Sequence, residues 1–265
     1  MDFNELSAIT DEIEQIRKTY ELFDEEYRLN RSKAARVEFL TTVHYIEKYL
    51  QPRAKILDIG AGAGEYSLYF AQKDHRVCAL ELSPANIAAF RKKLTPELPV
   101  ELVQGNATDL SRYADESFDA VLLFGPLYHL HSETDRQRCI SEAKRVCKPD
   151  GKLFFAFIGN DMVFLTEFGY RPDYFTNGDF DKTSFALTDF PFVFHTVPEC
   201  RRMLLDGGIR ILHEVASDGA SELLAERINA MDEENYAAYL RWHWYICEKP
   251  EFLGMSNHLL FVGEK

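Results

Sequence analysis

No apolar run in the 265-residue chain approaches the roughly 20 residues that a membrane span requires, so no membrane partner is expected. There is no C-x-x-C pair. The five cysteines, Cys78, Cys139, Cys147, Cys200 and Cys247, are odd in number and widely spread, which suits buried thiols in a reducing cytosol. The acidic start Met1-Asp2-Phe3-Asn4-Glu5 lacks a signal-peptide profile, and a cytoplasmic location is expected. Positive charge is scarce: 30 Lys and Arg face 43 Asp and Glu, a net charge of −13. That balance disfavours nucleic acid, whose phosphate backbone needs Lys and Arg neutralisation. His129-x-His131 has no third ligand close by in sequence, so no metal site is expected. No G-x-S-x-G marks a hydrolase, and no internal repeat or low-complexity segment is present.

What is there is an ordinary globular composition, 46% apolar and 28% charged. It is organised around Lys55-Ile56-Leu57-Asp58-Ile59-Gly60-Ala61-Gly62-Ala63-Gly64-Glu65-Tyr66. Ile56, Leu57 and Ile59 read as a short buried strand, three alternate glycines allow a tight turn, and Glu65 to Gln72 resumes a helical pattern. Strand, Gly-rich turn and helix build nucleotide sites in α/β sheets, because amide N–H groups at the helix start face the ligand. The dinucleotide fingerprint is G-x-G-x-x-G, whereas the third glycine here comes one residue early. Asp58 also ends the strand. A carboxylate there would repel a pyrophosphate and suits a ligand with an ammonium group and no phosphate, such as S-adenosyl-L-methionine (SAM).

Along the chain, Leu6, Ile9, Ile13, Ile16, Tyr20, Phe23 and Tyr27 alternate three and four apart, the apolar stripe of a helix over residues 1–28. That helix is open to three readings: packing on its own domain, lidding the ligand site, or helping a homodimer form. Ser32 can cap a second helix to about Leu50, ended by Gln51-Pro52. Strand 2, Arg76 to Glu81, places Glu81 at its end, 21 residues after Gly60, where an acid faces the ribose of a nucleoside. Strand 3, Val100 to Gln104, leads into Gly105-Asn106-Ala107, a polar and small pair suited to an adenine. Strand 4, Ala120 to Phe124, is followed by Gly125-Pro126-Leu127-Tyr128-His129-Leu130. Lys148-Pro149-Asp150-Gly151 reads as a turn before strand 5, Lys152 to Ile158, which is nearly all apolar as a covered central strand should be. Ten residues of 159–195 are Phe or Tyr. The segment reads either as a pocket wall or as a satellite cluster over the sheet edge. Strand 6, Ile209 to Val215, and strand 7, His258 to Val262, flank a helical, aromatic-rich stretch.

The strand-end residues, in this order, resemble the class I SAM-dependent methyltransferases over most of residues 50–158. Asp58 with Gly60, Gly62 and Gly64 matches motif I, Glu81 the ribose-binding acid, and Asn106-Ala107 the adenine motif, where many relatives carry Asp at the Asn106 position. Phe124-Gly125 matches the strand-4 end that borders the transferred methyl. The stretch Arg28 to Leu40 together with Gly125 to Leu130 is similar to a bacterial group with an N-terminal helical extension. The resemblance implies a doubly wound, seven-stranded, mostly parallel sheet in the order 3-2-1-4-5-7-6, with strand 7 antiparallel. It implies residues 1–50 as a helical extension or lid and 51–265 as the SAM-binding domain, with 159–195 as a substrate cap. Ala61 and Leu82 join the implied cofactor contacts, and the product would be S-adenosyl-L-homocysteine (SAH).

Methyl transfer from a sulfonium is an in-line displacement, and the protein mainly orients the partners. His129 and Tyr128 are the catalytic candidates: His129 as a base or a packed histidine, Tyr128 as a pocket wall or an orienting hydroxyl. Tyr20 and Arg36 are candidates to fold over the methionine tail of SAM. No Asn-Pro-Pro-Tyr or Asp-Pro-Pro-Tyr follows strand 4, and no cysteine there suits C5 methylation of a pyrimidine. The leading expectation is methylation of a small molecule at O or N. The alternatives are an RNA or protein methyltransferase, an NAD(P) oxidoreductase, and a non-catalytic SAM-binding protein.

Overall fold

The computed structural model describes residues 3–22, 27–188 and 191–265. Of the expected stripe, Phe23 lies outside them.

Eight strands form one sheet: β1 (Lys55–Ile59), β2 (Arg76–Glu81), β3 (Val100–Gln104), β4 (Phe118–Leu123), β5 (Cys147–Gly159), β6 (Phe194–His195), β7 (Arg210–Ala216) and β8 (His258–Glu264). The order is β3-β2-β1-β4-β5-β8-β7. β1 to β5 pair in parallel, and β8 runs antiparallel between β5 and β7. This is the expected order, with one strand more. The two-residue β6 pairs with the end of β5 through Ile158 and Gly159, and a bridge so short carries no periodic signal in sequence. β5 also begins earlier than expected. Its pairing with β4 steps from Phe118–Cys147 to Ala120–Lys152, so Lys148 to Gly151 form a bulge inside the strand instead of a turn before it.

Alternation along the strands divides the core between the two faces. Leu57, Ile59, Leu123 and Phe155 face one side, against Cys139 and Ile140 of the helix Glu133–Val146 and Leu204 of Val197–Asp206. Ile56, Leu122, Phe154 and Leu260 face the other, against Phe39, Val43 and Ile46 of the helix Lys33–Glu47 and Phe70 of Glu65–Ala71. The helix Lys33–Glu47 starts at Ser32, whose hydroxyl accepts from Ala35 N at 3.2 Å. Its outer side packs on the C-terminal helices: Ala34 and Val37 meet Ile228, Tyr236 and Leu240, and His44 stacks on Trp244 at 4.5 Å. All five cysteines are buried, and none forms a disulfide with a described residue.

The N-terminal stripe is two helices, Phe3–Ser7 and Glu12–Leu22, not one. Asp11 accepts from Glu14 N at 3.0 Å, and the Gln15 side chain donates to the carbonyls of Leu6 and Ile9. These polar groups satisfy the ends that the break exposes. The aromatic segment forms the helices Asn160–Tyr170 and Tyr174–Asn177 around its own small core of Phe164, Tyr174, Phe180 and Leu187. Among the described residues no helix is long and apolar enough to cross a membrane.

Candidate active site

The C-terminal ends of β1 to β4 meet at one edge, and the chain leaves β1 there through three glycines with positive φ: Gly60 at 78°, Gly62 at 55° and Gly64 at 90°. Gly60 is required twice over. A Cβ on it would lie 2.3 Å from the Phe124 carbonyl oxygen and 2.9 Å from Pro126 Cδ, so the first loop and the turn after β4 are in backbone contact. Gly60 N and Ala61 N both donate to Leu80 O, at 2.8 and 3.1 Å, which ties the loop to β2. Gly64 precedes the helix Glu65–Ala71, and its own Cβ would meet the Phe90 ring at 2.4 Å.

Two buried acids support this loop. Glu81, 4% exposed, accepts from Gly62 N at 2.8 Å through Oε2 and from Ser83 N at 2.7 Å through Oε1. Burial raises its pKa, and the two backbone donors work against that rise. Asp58 lies under the loop. Its Oδ2 accepts from Ser67 Oγ at 2.6 Å, while its buried Oδ1 has no hydrogen-bond partner among the described residues. Burial pushes the Asp58 carboxyl up to about 7, Ser67 opposes the shift, and the Glu81 charge adds to it.

The loop after β3 supplies Asn106, whose Oδ1 accepts from Thr108 N at 3.1 Å. After β4, Gly125 takes φ 114° and opens a single 3-10 turn, Pro126–Tyr128. His129 follows, 4% exposed. Its Nε2 lies 2.6 Å from the Tyr20 hydroxyl, and its buried Nδ1 has no partner among the described residues. Burial lowers its pKa to about 3, with a smaller push from His131, so the imidazole is neutral. Phe192 of the aromatic segment packs 5.3 Å from the His129 ring, and Val193 N donates to Tyr128 O at 2.8 Å.

These groups enclose one cleft of about 490 Å³ of atom-free space, part of it open to solvent. Gly60, Glu81, Leu82, Asn106, Ala107 and Gly125 form its floor, and Ile16, Tyr20 and His129 close its other side. Phe124 adjoins it, edge-on to Tyr66 at 5.0 Å. Arg36 does not line the cleft. It is exposed and sits 5.9 Å over the Phe39 ring.

Residues 57–155 match the family described as a methyltransferase domain. Over those residues the chain is similar to that family. Its fold is that of the class I SAM-dependent methyltransferases. A SAM-dependent methyltransferase structure from Thermotoga maritima superposes with a TM-score of 0.59 over 94% of this chain and 99% of that one, at 18% identity. The demethylmenaquinone methyltransferase of Clavibacter sepedonicus is 33% identical over 117 residues, 44% of this chain and 46% of its own length. The ubiquinone/menaquinone biosynthesis C-methyltransferase UbiE of Legionella pneumophila is 28% identical over 162 residues, 58% of this chain and 60% of its own. The chain thus spans about half the length of these curated relatives.

Segments outside residues 57–155 also assemble a cluster that sequence reading missed. One potential ligand atom from each of Glu38, Asp218 and His258 lies within 4.8 Å of the others. The geometry does not favour a metal. Arg28 holds both Glu38 oxygens, at 2.6 and 3.2 Å. Burial lowers the His258 pKa, but the Glu38 and Asp218 charges outweigh it and carry it up to about 9. The three residues lie 38, 218 and 258 along the chain, and no local motif joins them.

Proposed function

We propose that the protein transfers a methyl group from SAM to an oxygen or nitrogen of a small molecule. The observation that carries the reading is the convergence of Gly60, Glu81, Asn106 and the Gly125 turn on one cleft at the C-terminal edge of the sheet. The residues fit the cofactor. Glu81 Oε1 accepts from Ser83 N and, at 3.5 Å, from Asn86 Nδ2, while Oε2 accepts from Gly62 N alone and keeps capacity for a ribose hydroxyl. The orphaned buried Oδ1 of Asp58 suits the field of an ammonium group. Asn106 and Ala107 suit an adenine edge. SAM, when bound, supplies a methyl already activated by its sulfonium.

The chain's own groups then orient and exclude water. Gly125, Tyr128 and His129 border the reacting region, the helix Glu12–Leu22 acts as a lid through Ile16 and Tyr20, and the 159–195 segment acts as a cap through Phe192. A neutral imidazole this weakly basic fits an acceptor that needs no strong base, such as an amine or an already ionised oxygen. In this role His129 orients the acceptor or the Tyr20 lid. Arg36 has no part in the reading.

Transfer to carbon is the second reading, favoured by the C-methyltransferase name of the Legionella relative. The test uses SAM with a carbon-13 methyl and a fractionated cell extract. Label should move to the small-molecule fraction, and its chemical shift reports whether O, N or C carries it. Label retained on protein or RNA would replace the small-molecule acceptor.

A further inference from the structure

A second, more polar cleft opens on the same edge of the sheet. Arg28, Arg31, Glu38, Asp218, Glu222 and His258 line it around about 1160 Å³ of atom-free space, part of it open to solvent. His258 pairs with Ile158 at the end of β5, and β5 lies beside β4. His258 therefore stands two strands from the Gly125 turn, on the order of 10 Å at the usual strand spacing. Tyr66 packs between Phe39 and Phe124, stacked on Phe39 at 5.1 Å and edge-on to Phe124 at 5.0 Å.

The charges in this wall are unevenly satisfied. Every carboxylate has donors within the protein. Arg28 holds Glu38. Asp218 accepts from Ser256 Oγ at 2.5 Å, His258 N at 3.1 Å and His258 Nδ1 at 2.8 Å. Glu222 accepts from the Tyr170 hydroxyl at 3.0 Å and Asn257 Nδ2 at 2.7 Å. The donors are left over. Arg31 is exposed and makes no hydrogen bond or ion pair with a described residue. Asp218 occupies Nδ1 of His258, and Nε2 makes no hydrogen bond to a described residue. Ser32, Ala34 and Ala35 also belong to the wall. They place the positive end of the 15-residue helix Lys33–Glu47 against the cleft.

We propose that this cleft holds a small organic oxyanion, a carboxylate or a phosphate, carried by the methyl acceptor about 10 Å from the atom that receives the methyl. Arg31 and His258 Nε2 donate to it, and the helix start adds to the attraction. The assignment of this anion to the acceptor rests on the methyl-transfer reading above.

The test titrates benzoate, 4-phenylbutyrate and phenyl phosphate into SAH-saturated protein by calorimetry, beside benzamide and 4-phenylbutyramide as neutral matches. The carboxylate and phosphate arms separate the two sources. At least one anion should bind while its neutral match does not. Arg31→Ala should weaken that anion roughly tenfold, and Arg31→Glu should abolish it, with SAH affinity unchanged in both. Arg31 is exposed, so these variants should fold. Neutral ligands binding as tightly as anions, anion affinity indifferent to Arg31, or no anion binding at millimolar concentration would each overturn the proposal. The anion titrations are repeated without SAH. Failure of SAH to bind then counts against methyl transfer, and failure of the anions counts against this cleft.

Discussion

Glu81→Ala tests how far one carboxylate organises the cleft. The side chain accepts from Gly62 N at 2.8 Å and Ser83 N at 2.7 Å, so it holds both the Gly-rich loop and the start of the helix Pro84–Lys93. A hydrogen bond to a charged group contributes about 1.5–3 kcal/mol. The burial that raises the Glu81 pKa offsets part of two such bonds. A net loss of about 2–3 kcal/mol of folding stability corresponds to a fall in Tm of about 4–10 °C for a chain of this size. The lost acceptor for the ribose hydroxyls comes on top and should weaken SAH about tenfold or more. Glu81→Gln keeps one acceptor oxygen and should fall between. Thermal melts and calorimetric titration with SAH read the two effects separately. SAH affinity within about twofold of wild type in Glu81→Ala would refute the reasoning, because the ribose would then be held elsewhere.

Asp58 links cofactor binding to pH. Its pKa is raised to about 7, and the ammonium group of the ligand prefers the ionised form, so SAH affinity should rise up to about tenfold per unit as pH climbs toward 7 and then level off. A flat profile from about pH 5.5 to pH 8 in calorimetry would mean that Asp58 does not sense the ligand. His258 makes the fold pH-sensitive in the opposite sense to a paired carboxylate. Its pKa is raised from 6.5 to about 9, so its contribution is fully present below 6.5 and is lost as pH rises through about 9. Its side chain is 25% exposed, so a loss of about 1–2 kcal/mol is expected. Tm should fall across that window in wild type and stay flat in His258→Gln. Gly60→Ala forces a Cβ to 2.3 Å from the Phe124 carbonyl at φ 78°, costing about 3 kcal/mol or more. A wild-type melting curve for Gly60→Ala would show that the loop and the turn after β4 are not in contact.

The parts of the fold that were legible in the sequence follow local rules. Ser32 caps its helix through its own side chain, and alternate glycines after a buried strand mark a tight turn. Glu81 was readable as a strand-end acid, but its grip on Gly62 and Ser83 was not, because the loop is brought to it by the parallel pairing of β1 and β2. The same limit hid the contact between Tyr20 and His129, which lie 109 residues apart. It also hid the Glu38–Asp218–His258 cluster, which joins a helix, a loop after β7 and the start of β8. The break at Ala8–Asp11 escaped for a different reason. A stripe spaced three and four apart continues across a short interruption when side chains such as Asp11 and Gln15 satisfy the exposed ends.

Calorimetric titration of the wild-type chain with SAM, SAH and NAD tests the central claim most directly. SAM and SAH should bind at one site per chain, competing with each other, and NAD should not bind. Binding of NAD without SAM or SAH would contradict the account, because the early third glycine, Asp58 and Glu81 would then be serving a pyrophosphate-bearing ligand.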